Sequence, residues 1–79
     1  MNTDRDAIIE VQCYAGYRAG QRPISFILHG RKRMIDVIID YWRSPEYDYF
    51  KVAADDGNRY ILKSRHDGEW VLDGIIPPP

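Results

Sequence analysis

The sequence predicts an all-β protein, a small antiparallel meander barrel or strongly bent sheet of about six strands. Short runs rich in β-branched and aromatic residues alternate between apolar and polar positions, as strands with one buried face do. Gly, Pro, Asn and Asp residues separate these runs at intervals of roughly 8 to 12 residues, a spacing typical of small barrels and sandwiches. The stretch from Phe26 to Trp42 is the clearest case, because two apolar runs flank Gly30. We favour a barrel, since closing the sheet removes the exposed edges that promote aggregation.

Composition limits the chain to one domain. The sequence has 79 residues, of which 44% are hydrophobic and 29% are charged. A chain this apolar is not intrinsically disordered, although a domain of this size buries only about 60% of the surface of its unfolded chain. We predict one β-barrel-like domain over residues 8–73, with flexible tails at residues 1–7 and 74–79.

The first two predicted strands are joined by the longest loop. Residues 8–14 alternate in polarity, and residues 15–23 contain two glycines and a proline, which break regular structure. A second strand follows directly. The residues predicted to share an inner face are Ile9, Val11 and Cys13 on the first strand, and Ile24, Phe26 and Leu28 on the second.

The third predicted strand has apolar side chains on both faces. It covers residues 34–42 and follows a turn placed at Gly30-Arg31-Lys32. A helix is the competing interpretation, because three isoleucines here also have helical spacing. The density of β-branched residues favours a strand, and its two apolar faces indicate that it bends and changes its buried face, as strands do at a bulge.

Two hairpins complete the predicted meander. Pro45 ends the third strand, and alternation resumes over residues 49–54. The turn at residues 55–58 contains Gly57, which accepts the positive φ that hairpin turns require. A return strand over residues 59–64, an Asp-Gly turn and a last strand over residues 70–72 follow. The three final prolines are expected to form a polyproline II tail.

The sequence predicts a soluble, cytoplasmic protein. Its single cysteine, Cys13, cannot form an intramolecular disulfide, which favours a reducing compartment. Residues 1–6 are polar and lack the order of a signal peptide. No apolar run approaches the roughly 20 residues needed to span a bilayer, so we predict no membrane partner.

The pattern from Phe26 to Trp70 resembles a family of short, uncharacterised bacterial β-rich proteins, a domain of unknown function. The family pattern is Phe-x-Trp-x-Gly followed by Val-x-x-Val-Leu-Asp-x-Trp, and Leu28 stands here in place of its first tryptophan. The resemblance covers roughly residues 8 to 73 and implies a fold and a bacterial cytoplasmic location, sometimes with genes near those of DNA repair. The positions that carry it are Phe26, Gly30, Ile35, Ile38, Ile39, Asp40, Trp42, Tyr49, Phe50, Val52, Gly57, Tyr60, Leu62, Trp70 and Leu72.

No residue pattern indicates catalysis, a metal site or a cofactor. Asp36 and Asp40 lie four residues apart on a strand, and roughly 13 Å is too far for a paired acid and base. His29, His66 and Cys13 lack the clustered third or fourth ligand that zinc requires. Cys13 falls on an apolar strand face, as an inert buried thiol does, and no glycine run has the sequence of a phosphate-binding loop. We therefore predict that the protein is not an enzyme and has no cofactor.

The best candidate site combines basic and aromatic residues. Small β-barrels bind single-stranded nucleic acid by stacking bases on aromatic rings while cations follow the backbone. The sequence predicts a binding module that contacts nucleic acid or an acidic protein surface, as a monomer or weak homodimer. The alternative is a protein-interaction or homodimerising domain without a nucleic-acid role, its arginine stems covering an aromatic core. The candidate binding residues are Tyr17, Arg18, Arg22, Arg31, Lys32, Arg33, Trp42 and Arg43.

Overall fold

Six antiparallel strands follow one another around the molecule in sequence order. The computed structural model describes residues 7–14 and 22–78. Each strand pairs with the next, and β6 pairs with β1 to close the barrel. The predicted all-β meander barrel is confirmed, and the helical interpretation of the third segment is wrong. The strands are β1 (Ala7–Cys13), β2 (Pro23–Leu28), β3 (Arg31–Arg43), β4 (Tyr47–Ala54), β5 (Arg59–Arg65) and β6 (Trp70–Ile76).

The connections define two ends of the barrel. We call the end with His29–Gly30 and the turn at residues 55–58 the lower end. The turns at residues 44–46 and 66–69 lie at the upper end. Because each connection joins adjacent antiparallel strands, side chains near the start of β3 lie at the lower end and those near its finish lie at the upper end.

The barrel interior is filled by alternating side chains. On β4 and β5 every second residue is buried, as expected for strands with one face toward a core. Phe26 is fully buried and meets the Tyr60 ring edge-on at a centroid distance of 4.9 Å. The predicted inner face of β1 is confirmed, since Ile9 is in the core and Val11 and Cys13 pack against it. The core residues are Ile9, Phe26, Phe50, Val52, Ala54, Tyr60, Leu62, Trp70 and Leu72.

Two bulges bend β3, as its two apolar faces predict. The pairing with β4 shifts register between Ile35 and Val37 and again between Ile38 and Asp40. At each shift two residues of β3 oppose one of β4. The core side of β3 therefore recurs every third residue. Ile35 and Ile38 pack against the core, whereas Val37 and Ile39 are exposed.

The turn before β3 is shorter than the sequence indicates. It consists of His29 (φ 53°) and Gly30 (φ 77°), a two-residue hairpin connection in which both residues have positive φ. Arg31 is already paired with Leu28. The predicted turn at Gly30-Arg31-Lys32 is therefore wrong, because a residue other than glycine takes the first left-handed position.

Two further expectations need correction. β6 continues to Ile76, so residues 74–76 belong to the barrel and not to a tail. On β2, Phe26 and Leu28 contact the core as predicted. Ile24 instead lies beside the register shift between Gln12 and Cys13 and is half-buried.

Candidate functional site

The basic segment at the start of β3 does not form one surface. Arg31, Lys32 and Arg33 pair with Leu28, Ile27 and Phe26 in turn. Directly opposed residues of a sheet share a face, so Arg33 lies on the core side with Phe26, and Lys32 lies on the outer side with Ile27. The three cations thus alternate between two faces of the sheet.

Arg33 belongs to a structural network at the lower end. Its Nε lies 3.3 Å from Asp56 Oδ2, and the Tyr60 hydroxyl donates a hydrogen bond to the same oxygen. The Asn58 backbone N–H donates to Asp56 Oδ1 at 3.0 Å. Asp56 therefore joins β3, the turn at residues 55–58 and β5, and Arg33 is committed to holding them together.

This network shifts two pKa values. Burial acts to raise the pKa of Asp56, but the hydrogen bonds from Tyr60 and Asn58 and the charge of Arg33 outweigh it, so that this pKa is lowered. The pKa of Tyr60 is raised, first by burial and then by its hydrogen bond to the carboxylate. Both shifts favour the ionised carboxylate beside a neutral phenol.

The lowered pKa predicts a pH-dependent contribution to stability. An Asp with a folded-state pKa below its unfolded value of about 3.9 stabilises the fold above that pH and loses the contribution as the pH falls through the folded-state pKa. We expect Asp56→Asn to unfold more easily than wild type at pH 7, and this difference to shrink below about pH 4. Urea unfolding followed by circular dichroism at both pH values tests this. An equal difference at both would contradict it.

Trp42 and Arg43 lie at the opposite end of β3. Ten residues separate Lys32 from Trp42, which places them roughly 30 Å apart along the strand. Arg43 Nε is 3.2 Å from Asp48 Oδ1, an oxygen that His66 also approaches at 3.4 Å. Arg22 is exposed, and its carbonyl accepts a hydrogen bond from the Tyr14 N–H.

The candidate residues therefore divide between the two ends. The connection between β1 and β2 and the finish of β3 bring Arg22, Trp42 and Arg43 to the upper end. Arg31, Lys32 and Arg33 remain at the lower end. Tyr17 and Arg18 lie outside the described residues. A single site containing all eight predicted residues is not what the described part of the barrel forms.

A different aromatic cluster lies on the outer side of β3 and β4. The rings of Trp42 and Tyr49 are stacked, with centroids 5.2 Å apart and an angle of 4° between their planes. Tyr47 continues the row, 6.0 Å from Tyr49 between ring centroids. Trp42 is 39% exposed and both tyrosines are half-buried. The three rings form a continuous, partly solvent-accessible aromatic strip.

Four cations share this outer surface. They occupy the positions of β4 and β5 that alternate with the buried residues, and Lys63 Nζ lies 4.8 Å from the Tyr47 ring centroid. Lys63 is also 3.5 Å from Asp73, and Arg65 is within 3.7 Å of Asp67 and Glu69. We call this surface the aromatic-cation face. It consists of Trp42, Tyr47, Tyr49, Lys51, Arg59, Lys63 and Arg65.

Two cations of the aromatic-cation face are left for a ligand. Within residues 7–14 and 22–78, neither Lys51 nor Arg59 has an acidic side chain within ion-pair distance. An open depression of about 490 Å³, lined partly by Tyr47, Arg65 and His66, adjoins the face at the upper end. The face can thus offer ring surfaces and uncompensated positive charge together.

The sequence contained a signal for this face that the analysis of motifs missed. Tyr47, Tyr49 and Lys51 occur at alternate positions, as do Arg59, Lys63 and Arg65 with Ile61 between them. Two adjacent strands with this alternation place all of these side chains on one side. The contiguous arginines and lysine of β3 drew attention because they are consecutive, and consecutive strand residues point to opposite faces.

The described residues contain no group of three or more His, Cys, Asp or Glu side chains that could hold a metal ion. Cys13 is half-buried, and burial raises the pKa of its thiol. A raised thiol pKa lowers the fraction of reactive thiolate at neutral pH. The described chemistry of the barrel surface is therefore that of recognition through rings and charges.

Comparisons with known proteins leave the function to be argued from the site itself. No protein-family model matches the chain, and searches of curated proteins and of solved structures give no significant match. The resemblance to the uncharacterised bacterial family stays a prediction. Over residues 7–14 and 22–78, the chain has no helix with the length and apolar character needed to cross a membrane.

Proposed function

We propose that the protein is a non-catalytic binding module that takes single-stranded nucleic acid on its aromatic-cation face. The observation that carries the proposal is the stacked pair of Trp42 and Tyr49, continued by Tyr47. Each ring surface left open can receive a base, because every base has a π-face of its own. Base stacking on such rings contributes about 1 to 3 kcal/mol per base.

The surrounding charges support the same ligand. Phosphates spaced along a single strand need cations beside the stacking rings and not in place of them. Lys51 and Lys63 flank the aromatic strip on β4 and β5, and Arg59 extends the row toward the lower end. The net charge of the chain is -1, so the attraction is local, and binding is expected to weaken as salt rises.

The two tryptophans of the chain make the proposal directly measurable. Trp42 is 39% exposed on the face, whereas Trp70 is 6% exposed in the core. A base that stacks on the face is expected to quench the emission of Trp42 and to leave Trp70 unchanged. We would titrate the protein with a mixed-sequence single-stranded oligonucleotide at two salt concentrations and with the matching duplex.

Replacing Trp42 with alanine is expected to weaken single-strand binding by about 5-fold to 150-fold, the loss of one stacked base. Binding of this variant is followed by fluorescence anisotropy of a labelled oligonucleotide. Ile8→Ala is the matched control. Ile8 is 73% exposed on β1, across the barrel from β4, and its loss should leave affinity unchanged.

A second pair of variants separates the aromatic-cation face from the basic segment of β3. Lys51→Ala with Arg59→Ala should lower affinity and reduce the slope of log affinity against log salt by about 1. Arg31→Ala with Lys32→Ala removes the same charge at the lower end and should change neither. Arg33 is left intact in both, since its removal would disturb Asp56.

The opposite pattern would contradict the proposed site. If the Arg31 and Lys32 variant alone lost affinity, binding would lie at the lower end, as the sequence first indicates. No response of Trp42 to any oligonucleotide at low salt would contradict nucleic-acid binding and favour an acidic protein surface as the ligand.

A further inference from the structure

The upper part of β3 has a strand neighbour on one side only. β2 pairs with Arg31–Met34 alone, and β4 pairs with the residues from Ile35 to Arg43. Within residues 7–14 and 22–78, no second strand pairs with residues 36–43 on the edge opposite β4. The barrel is closed, but this strand is longer than β2 and extends past it as an edge of eight residues.

This edge carries apolar side chains into solvent. Val37 is 52% exposed and Ile39 is 45% exposed, and both point outward because of the bulges. An exposed strand edge is a template for pairing with another strand. The Tyr41 N–H is satisfied locally by Asp40 Oδ1 at 2.8 Å, so the edge is guarded at one point and apolar around it.

The order of faces along the edge is self-complementary. From Val37 to Trp42 the side chains lie outward, inward, outward, outward, inward and outward, a sequence that reads the same in both directions. Two copies paired antiparallel about a two-fold axis between Ile39 and Asp40 therefore match outward residues with outward ones throughout. Few partner strands would satisfy a bulged edge in this way.

The charges agree with the same register. It places Asp36 of one copy opposite Arg43 of the other, twice across the axis, and Val37 opposite Trp42. Opposite charges and aromatic–aliphatic pairs are the favourable cross-strand combinations. Symmetric pairing of one patch with itself is the commonest way in which identical chains associate.

We propose that the edge of β3 from Asp36 to Arg43 is a homodimer interface, in which a second copy of this chain adds its own β3 antiparallel. The proposal goes beyond nucleic-acid binding and does not depend on it. Pairing about this axis turns the outer sides of both sheets the same way, so that the two aromatic-cation faces become neighbours in one sheet.

Sedimentation equilibrium over a range of protein concentrations, without oligonucleotide, tests the proposal. We expect the mass to rise from the 9.3 kDa of one chain to twice that value. Val37→Lys and Asp36→Arg are each expected to raise the dimer dissociation constant by about tenfold, since each change acts twice across the axis. Circular dichroism confirms that each variant is folded.

Met34→Lys is the matched control. Met34 is 46% exposed on the same strand, but it pairs with Ser25 on one side and its carbonyl accepts the Asp55 N–H on the other. Its substitution should leave dimerisation unchanged, and equal weakening by Met34→Lys would overturn the proposed edge.

Isotope-filtered NMR of a mixture of labelled and unlabelled protein fixes the register. Contacts between the Val37 methyls of one copy and the Trp42 indole of the other support it, because opposed Cβ atoms lie about 5 Å apart. A dimer without these contacts, or a monomeric mass at every concentration up to about 1 mM, overturns the proposal. Neither outcome bears on the oligonucleotide titration.

Discussion

Phe26→Ala is expected to destabilise the barrel by about 3 to 5 kcal/mol, the largest effect of any single substitution proposed for this chain. Phe26 is fully buried and contacts Tyr60 across the interior. Its removal loses the transfer energy of the ring and leaves a cavity that a closed barrel cannot readily collapse. A domain of 79 residues has a total stability of about 4 to 12 kcal/mol, so the variant should be close to unfolding.

Thermal and urea unfolding of wild type and variant measure this effect. The melting temperature is expected to fall by at least about 15 °C. Ile27→Ala is the matched control, since Ile27 is the next residue of β2 and is 36% exposed on the outer side. Its loss should cost about 1 kcal/mol or less. Similar costs for the two variants would contradict the assignment of faces on β2.

Asp56→Ala has the second largest expected effect, a loss of about 2 to 3 kcal/mol. The substitution removes the acceptor of the Tyr60 hydroxyl, of the Asn58 N–H and of the Arg33 guanidinium together. Half-buried donors left without a partner cost more than the net value of the bonds themselves. The lower end of the barrel should therefore open first.

Asp55→Ala separates the network from the turn that contains it. Asp55 is exposed, and its backbone N–H, which donates to the Met34 carbonyl, is retained in the variant. We expect a change within about 0.5 kcal/mol. Hydrogen exchange of the Tyr60 amide should quicken in Asp56→Ala only. Equal destabilisation by both substitutions would mean that the turn conformation, and not the Asp56 carboxylate, stabilises this end.

The fold was predictable because its evidence is local. Alternation along β1, β4 and β5 and the turn residues between them identify strands without any knowledge of their partners. The bend of β3 was also visible, since only a strand that changes its buried face has use for apolar residues on both sides.

The site was less predictable because it depends on register. Placing the turn one residue too late leaves the basic residues as one exposed cluster, whereas pairing Arg31 with Leu28 divides them between two faces. The partner of Arg33 is Asp56, more than twenty residues away and on another hairpin. The aromatic-cation face likewise exists only when β3, β4 and β5 are aligned, and nothing in any one strand specifies that alignment.

The two extra residues of β3 have a consequence for how the chain tolerates insertions and deletions. Deleting Ile39 would remove one bulge and rotate everything after it by half a pleat, carrying Trp42 into the barrel and Tyr41 out to solvent. Removing Asp36 as well would restore the phase at Trp42 but straighten the strand. The length of this strand is therefore constrained in steps of two residues, and single-residue length changes here should be far more damaging than substitutions at the same positions.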